Sequence, residues 1–544
     1  MKAALLLVPA LLLAQDKADA PPPAKGTISG AVYVAGTNTP MKDVEVYANR
    51  GNPQGGSAIT DALGHYVIKD VTPGQVRISA VGADTFGRRG GFGPTSQRQI
   101  NLAPGQDLAN IDFHLLVHGR ITGHVVDQNK EPVVGVTVYL VVREYSHGKL
   151  RAFFAGAGNT DDEGNYLLDR ILPGRAYAVL VQKRNRISGP LSDAPLDPAL
   201  RLPAFVPTYY PNAAAIDGAE MITLKPGEVR DGVDIRVLRS PSFCLDATVV
   251  GASGQLPFSI AETQPSSGQS GNGGFYTSMP SGQSGKDGKI RVCDLHPGEY
   301  ELSVHTFGTG SFAATTGFAS SIITIGDRDV AGVQLAIRPK LPVSGEVVFD
   351  GPAPQTTDTP KVTLFVQAIT RTERGNTAAD VPGTFTFEGG LAADDYGLDI
   401  QRRPPGTYVK DIEYGGHSIL YAPIPVGKAT GDGGLRIILG QDGGSINARV
   451  TNKDGNPVAD CSVALIPAAA SSEAILAASM SSGRTDQNGS WQSGIIAPGK
   501  YYAVATNDTI DKSPEAIGTL WKARTSATEV ELTAHGKASV SLVH

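Results

Sequence analysis

The feature that most constrains this chain is a short block that recurs along it. A glycine opens a run of alternating apolar residues, and a proline–glycine pair follows nine residues after it. Gly64 to Pro73, Gly164 to Pro173, Gly288 to Pro297 and Gly489 to Pro498 keep this spacing, and Gly397 to Pro405 runs eight. A spacing of nine that returns four times, with a fifth copy one residue shorter, does not follow from composition, so it argues for internal repeats. Where the block is clearest it reads T-D-x-x-G-x-Y, as from Thr60 and Thr160. Asp and Gly set a hairpin turn. Tyr66 and Ile68, Tyr166 and Leu168, and Ile290 and Val292 then alternate as on a half-buried strand. The Pro-Gly pair reverses the chain into a second alternating strand, with Val76 and Ile78 in one copy and Tyr300, Leu302 and Val304 in another.

Upstream of the block lies a strand, a polar turn and a β-branched strand, from Gly26, Gly119 and Ser445. Downstream a further pair closes the unit, from Ile100, Ile222, Ile323 and Val530. Each unit thus holds roughly seven strands in about 100 residues, the size of an immunoglobulin-like sandwich. The expected architecture is all-β, a tandem array of about five sandwiches at 26–117, 118–240, 241–339, 340–441 and 442–544. A length of 544 residues suits it. Helix signals are sparse: the segment from Ser471 predicts one short helix with a serine cap. The insert Ser192 to Ala215 reads as mostly loop, and the Gly/Ser-rich stretches from Gly87 and Pro265 read as loops.

Residues 1–20 read as an export signal with its cleavage region, and 21–25 as a stiff Pro-rich linker. Lys2 precedes the apolar run Ala3 to Ala14, which is too short to span a bilayer, where about 20 residues are needed. No later segment has the length to span one. The expected location is periplasm, cell surface or outside the cell. A net charge of −6 carries no footprint for nucleic acid.

The G-x-V start, the T-D-x-x-G-x-Y turn and the L-x-P-G-x-Y turn resemble the carboxypeptidase regulatory-like family. The resemblance implies transthyretin-like β-sandwiches, related in shape to carbohydrate-binding folds, in a secreted or envelope protein of bacterial type. It implies no peptidase activity, because the family is an accessory domain beside metallocarboxypeptidases. The fourth unit departs from the pattern and lacks the G-x-P-V turn.

His296 and Glu299 in "LHPGEY", with His417 downstream, copy a zinc peptidase ligand order. Zinc hydrolysis needs three ligands converging on one ion with an open water position. His296 and Glu299 instead flank a repeat turn, and are expected on its exposed shoulders. His114, His118 and His124 share one strand parity and could meet at a metal, but read as strand histidines. Acidic turns such as "TDDEGN" hint at calcium, yet no loop fits an EF-hand. No G-x-S-x-G, phosphate-loop or H-E-x-x-H motif occurs.

Aromatic residues outside the alternation remain: Phe153, Phe154, Tyr209, Tyr210, Phe275, Tyr276 and Trp521. They are candidate platforms for sugar rings, the alternative being that they cap the sandwich ends. Trp491, at the Tyr66 position, is expected in the core, as is Cys461. Cys244 and Cys293 either pair or stand as separate buried thiols. The expected function is a non-catalytic array for structure, adhesion or binding, drawn out as an extended rod. It needs no cofactor, and its partners are glycans or envelope proteins. Carbohydrate binding is the alternative, and a zinc carboxypeptidase-like hydrolase a remote one.

Overall fold

The computed structural model describes residues 23–35, 37, 39–49, 56–82, 97–182, 197–251, 254–263, 281–307, 315–352, 359–369, 373–428, 434–486 and 488–544. Among them, residues up to 33, 40–81 and 97–113 form one compact unit, and residues 114–544 form another.

The first unit is one sandwich. Strand Gly26–Val34 pairs antiparallel with His65–Val71 and parallel with Asp107–Leu108. The facing sheet runs Ser57–Ile59, Glu45–Ala48, Gly74–Val81, Gln97–Leu102. Ile28, Val46, Ile68, Val76 and Ile78 fill the space between.

The second unit repeats that plan four times. Each opening strand lies between an antiparallel strand and a parallel closing strand. The openers are Gly119–Val126, Phe243–Val250, Ser344–Phe349 and Ser445–Thr451.

The T-D-x-x-G-x-Y block has a local cause in hydrogen bonding. Thr160 Oγ1 donates to the Val133 carbonyl at 2.7 Å and accepts the Val136 amide at 3.0 Å. Thr60 and Thr485 repeat both bonds. Asp161 Oδ1 accepts the amides of Glu163 and Asn165, as Asp61 and Asp486 do in their turns. These carboxylates serve their own turns, which is why the turns look calcium-like without being EF-hands. The motif tyrosine then crosses the core: Tyr66 and Tyr166 donate at 2.6 Å to the carbonyls of Ile111 and Val233 beside the closing strand. Glycine is required beneath each ring, since a Cβ on Gly30 or Gly123 would collide with that same carbonyl. The Pro-Gly turn is closed by its own tyrosine. Tyr300 donates to the His296 carbonyl and Tyr501 to that of Ala497.

The fourth sandwich corrects the sequence alignment. The strand after Gly397 was matched to His65–Val71, but Asp394–Gln401 pairs with Lys361–Ala368, in the other sheet. The matching strand is Gly383–Thr386, where Phe385 lies opposite Gly345 as Tyr166 lies opposite Gly123. Tyr396 stands at the equivalent turn, its hydroxyl 2.6 Å from Glu373 Oε2 and 3.1 Å from the Ala392 carbonyl. The Pro405-Gly406 pair forms a turn that leads into an additional strand, Tyr408–Tyr414.

Two sheets are buried on both faces. In the second sandwich Tyr139, Val141, Phe154 and Leu180 form a second cluster behind the core, together with Tyr209. Ala213, near the end of the insert read as loop, and Ile216, Ala219 and Met221 just beyond it pack against this cluster. In the fifth, helices Glu473–Ser479 and Pro514–Ala523 cover Ala464 and Ile466. Ser472 caps the first helix, and Ser513, followed by Pro514, caps the second. The third sandwich carries a disulfide between Cys244 and Cys293 on adjacent strands, Cα atoms 4.0 Å apart. Cys461 is a buried free thiol.

Candidate functional site

The longest hairpin of the second sandwich organises the second unit. Strands Thr137–Ser146 and Lys149–Asn159 pair along their length, with Ser146 opposite Lys149. His147 and Gly148 make the two-residue turn with φ of 48° and 78°, the left-handed backbone such a tight turn needs.

The end of this hairpin is gripped by two other sandwiches. The Tyr145 amide donates to the Lys512 carbonyl at 2.8 Å, and its hydroxyl to Glu473 Oε2 at 2.9 Å. Its ring joins the apolar cluster of Leu476, Ile517 and Leu520 under the helices of the fifth sandwich. Burial and the Glu473 carboxylate both push the Tyr145 phenol above its ordinary pKa. Arg175, nearly buried, bonds Glu144 of the hairpin and lies 2.6 Å from Asp511 Oδ2 of the fifth sandwich. Burial works against the guanidinium charge, but the two carboxylates outweigh it and raise its pKa. His147 fits onto Gly397 of the fourth sandwich, where any Cβ would overlap the imidazole. Its Nε2 is 3.5 Å from Asp399 Oδ1, and that hydrogen bond holds the Asp399 carboxyl below the usual range.

The expected rod is therefore wrong for sandwiches two to five, because the hairpin reaches past its own sandwich to the fourth and fifth. A second anchor ties the second sandwich to the third. Arg201, buried, forms a two-pronged pair with Asp329 at 2.6 and 2.9 Å, and Asp329 also accepts the Cys244 amide. Around the hairpin the second, fourth and fifth sandwiches leave a cleft of about 2940 Å³.

The sequence candidates fare unevenly. Phe153, Phe154 and Tyr209 are 3%, 8% and 5% exposed. They lie inside the two clusters of the second sandwich and offer no free ring face, which corrects their reading as platforms. Tyr210 packs half-buried against the same core. Trp521 is half-buried, and the Arg524 guanidinium sits 3.3 Å from its ring centre. Phe275 and Tyr276 lie outside the described residues. Trp491 packs against the fifth core over Gly483.

His296 is not on an exposed shoulder: it is 7% exposed. Its Nδ1 lies 2.7 Å from the Pro297 carbonyl and its Nε2 3.0 Å from Glu262 Oε1. Both neighbours offer oxygen atoms to the ring nitrogens, an arrangement that favours the protonated ring. Burial lowers its pKa, but Glu262 and the Pro297 carbonyl outweigh that and raise it. Glu262 also accepts Gln182 of the second sandwich at 3.0 Å. Glu299 meets the Thr263 hydroxyl, and His417 is exposed on a short strand of the fourth sandwich. His124 stands 3.7 Å from Asp234. Among the described residues no three His, Cys, Asp or Glu gather as a metal site.

The hairpin went unseen in the sequence, although a signal was present. "TVYLVV" and "AYAVLV" are continuous apolar runs, which mark strands buried on both faces. "SPEAIGTLWKA" likewise carries a serine cap, a proline at the first turn and helical apolar spacing.

Residues 27–116 match the family model of the carboxypeptidase regulatory-like domain. That domain is the first sandwich, and its Thr60, Asp61 and Tyr66 have counterparts in the second. No curated protein matches the chain. Among solved structures, a streptococcal ancillary pilin is similar at 14% identity, covering 58% of this chain and 100% of its own, with a TM-score of 0.18. The minor pilin GBS52 of Streptococcus agalactiae gives 14%, 40%, 97% and 0.21. The major pilin subunit BcpA of Bacillus cereus gives 10%, 56%, 98% and 0.14. At TM-scores this low, nothing about the work of this chain is taken from them.

Proposed function

We propose that this chain is a non-catalytic, exported β-sandwich protein whose second to fifth sandwiches act as one locked scaffold for structure or adhesion. The observation that carries the reading is how seven polar groups around the hairpin are used. Glu144, Arg175, Asp511, Tyr145, Glu473, His147 and Asp399 hold one sandwich to another. General acid–base work needs a group poised to reach substrate; here those groups are engaged in interdomain pairs. No helix of the described residues is long and apolar enough to cross a membrane.

Expression with the native N-terminus, followed by fractionation and N-terminal sequencing, tests export. The reading expects a chain shortened near residue 20 outside the cytoplasm. An uncleaved chain retained in the cytoplasm would overturn it. Peptide or ester hydrolysis abolished by Glu144→Gln or His147→Asn would overturn the non-catalytic part.

A further inference from the structure

We propose that the junction between the second and third sandwiches is a pH-sensitive hinge. Loss of the His296 proton frees Glu262 from Gln182, and the two sandwiches then pivot on the Arg201–Asp329 anchor. The proposal goes beyond the scaffold reading: it names a joint at which the scaffold opens, and it stands whether or not the chain is exported.

Two of the side-chain ties between these sandwiches differ in chemistry. At the anchor, Arg201 meets Asp329 in two bonds of 2.6 and 2.9 Å. Those bonds hold the Asp329 carboxyl below its ordinary range, and a guanidinium stays protonated, so the anchor keeps both charges across neutral pH. At the second tie, Gln182 ends strand Ala176–Gln182 of the second sandwich and donates from Nε2 to Glu262 Oε1 at 3.0 Å. Glu262 ends strand Pro257–Glu262 of the third. His296 Nε2 lies 3.0 Å from that same oxygen. One carboxylate oxygen therefore meets a neutral amide across the junction and the imidazole of its own sandwich.

The histidine proton decides whether Glu262 stays in place. The His296 and Glu262 side chains are 8% and 18% exposed, and His296 Nδ1 is 2.7 Å from the Pro297 carbonyl. A neutral imidazole has one N–H for these two oxygens. It also leaves a largely buried carboxylate without the cation beside it, a state that drives the group toward water. A Glu262 that turns outward takes its oxygen away from Gln182. Tyr209 of the second sandwich and Tyr300 and Glu299 of the third lie beside this tie. Burial, and after it the Glu262 charge, push both phenols above their ordinary value, so they stay neutral. Glu299 accepts the Thr263 hydroxyl at 3.5 Å. Burial lowers the His296 pKa, but Glu262 and the Pro297 carbonyl raise it above 6.5 in sum. The closed tie is thus complete below about pH 6.5 and is lost as pH rises through the raised value. A single remaining anchor fixes a point but not an angle, which makes the joint a hinge.

The test is double electron–electron resonance on the full chain carrying Cys461→Ser, with spin labels at Asp162→Cys and Lys286→Cys, exposed turn residues of the second and third sandwiches. Labelling without reductant keeps the Cys244–Cys293 bond closed. A single narrow distance distribution is expected at about pH 6, and a second, broader population should grow at least about tenfold by about pH 9. Gln182→Ala, which leaves the His296–Glu262 pair intact, should show the broad population already at the lower pH. His296→Gln should give the same distribution at both pH values; should that variant fail to fold, Gln182→Ala decides. A parent distribution unchanged by pH overturns the proposal. So does a Gln182→Ala chain as narrow as the parent at the lower pH, or a His296→Gln chain that keeps the parent's response. Loss of far-ultraviolet circular dichroism in step with the distance change would make the event unfolding of the third sandwich, and would overturn the hinge.

Discussion

The guanidinium of Arg175, in the second sandwich, lies 2.6 Å from the Asp511 carboxylate of the fifth and bonds Glu144 beside it. Two acids from different sandwiches thus share one nearly buried cation. Arg175→Met should leave two carboxylates without it and lower stability by about 3 kcal/mol, the usual penalty for breaking a buried pair. Urea unfolding measures this. A loss below about 0.5 kcal/mol would mean the network is only a surface pair.

Tyr166→Phe should destabilise by about 1–2 kcal/mol, because the buried Val233 carbonyl loses its donor while the ring stays in place. Tyr66→Phe should cost about the same, since Tyr66 bonds Ile111 in the same way. If neither change shifts the melting curve, the tyrosine is retained for its ring alone.

The third sandwich should lose stability as pH rises. The native His296 pKa lies above the ordinary value of 6.5. Its pairing with Glu262 is complete below about pH 6.5, where folded and unfolded rings are both protonated. The contribution is lost as pH rises through the raised native value. Hydrogen exchange of peptides from 289–307, corrected for intrinsic rate, should show declining protection across that window. His296→Gln should remove the decline; an identical slope in both proteins would show that His296 is not the titrating group.

Reduction should weaken the third sandwich selectively. Cys244 and Cys293 close a loop with a sequence separation of 49. The chain-entropy model assigns such a closure about 4 kcal/mol. Alkylation and mass analysis of the unreduced protein should find Cys461 as the sole thiol, modified only after denaturation. Three modified thiols would contradict the bond.

The legible parts of the fold were those written in short-range chemistry. Thr160, Asp161, Gly164 and Tyr166 specify one turn and one strand, and their bonds recur within a few residues of each other or in the adjacent strand. The fourth sandwich misled because Pro405-Gly406 resembles the repeat turn, while the true equivalent, near Tyr396, lacks proline. Burial of Phe153, Phe154 and Tyr209 was hidden for another reason. Phe153 lies in the main core, whereas Phe154 and Tyr209 are covered by the segment around Ile216, and period-two counting treats a strand as having one wet face. His296 was placed outside because its partner, Glu262, comes from a strand 34 residues away. Arg175, Asp511 and Glu473 carry no motif at all; only the third dimension brings them together.

The central claim is that the hairpin tip of the second sandwich is locked onto the fourth. His147 and Gly397 are close enough for the test, since a Cβ on Gly397 would meet the imidazole. Cysteines need Cβ atoms about 4 Å apart to bond. A His147→Cys, Gly397→Cys chain that also carries Cys461→Ser should form the new disulfide on mild oxidation, shown by mass analysis of the linked peptides. Two thiols that remain free to alkylation after oxidation would contradict the lock.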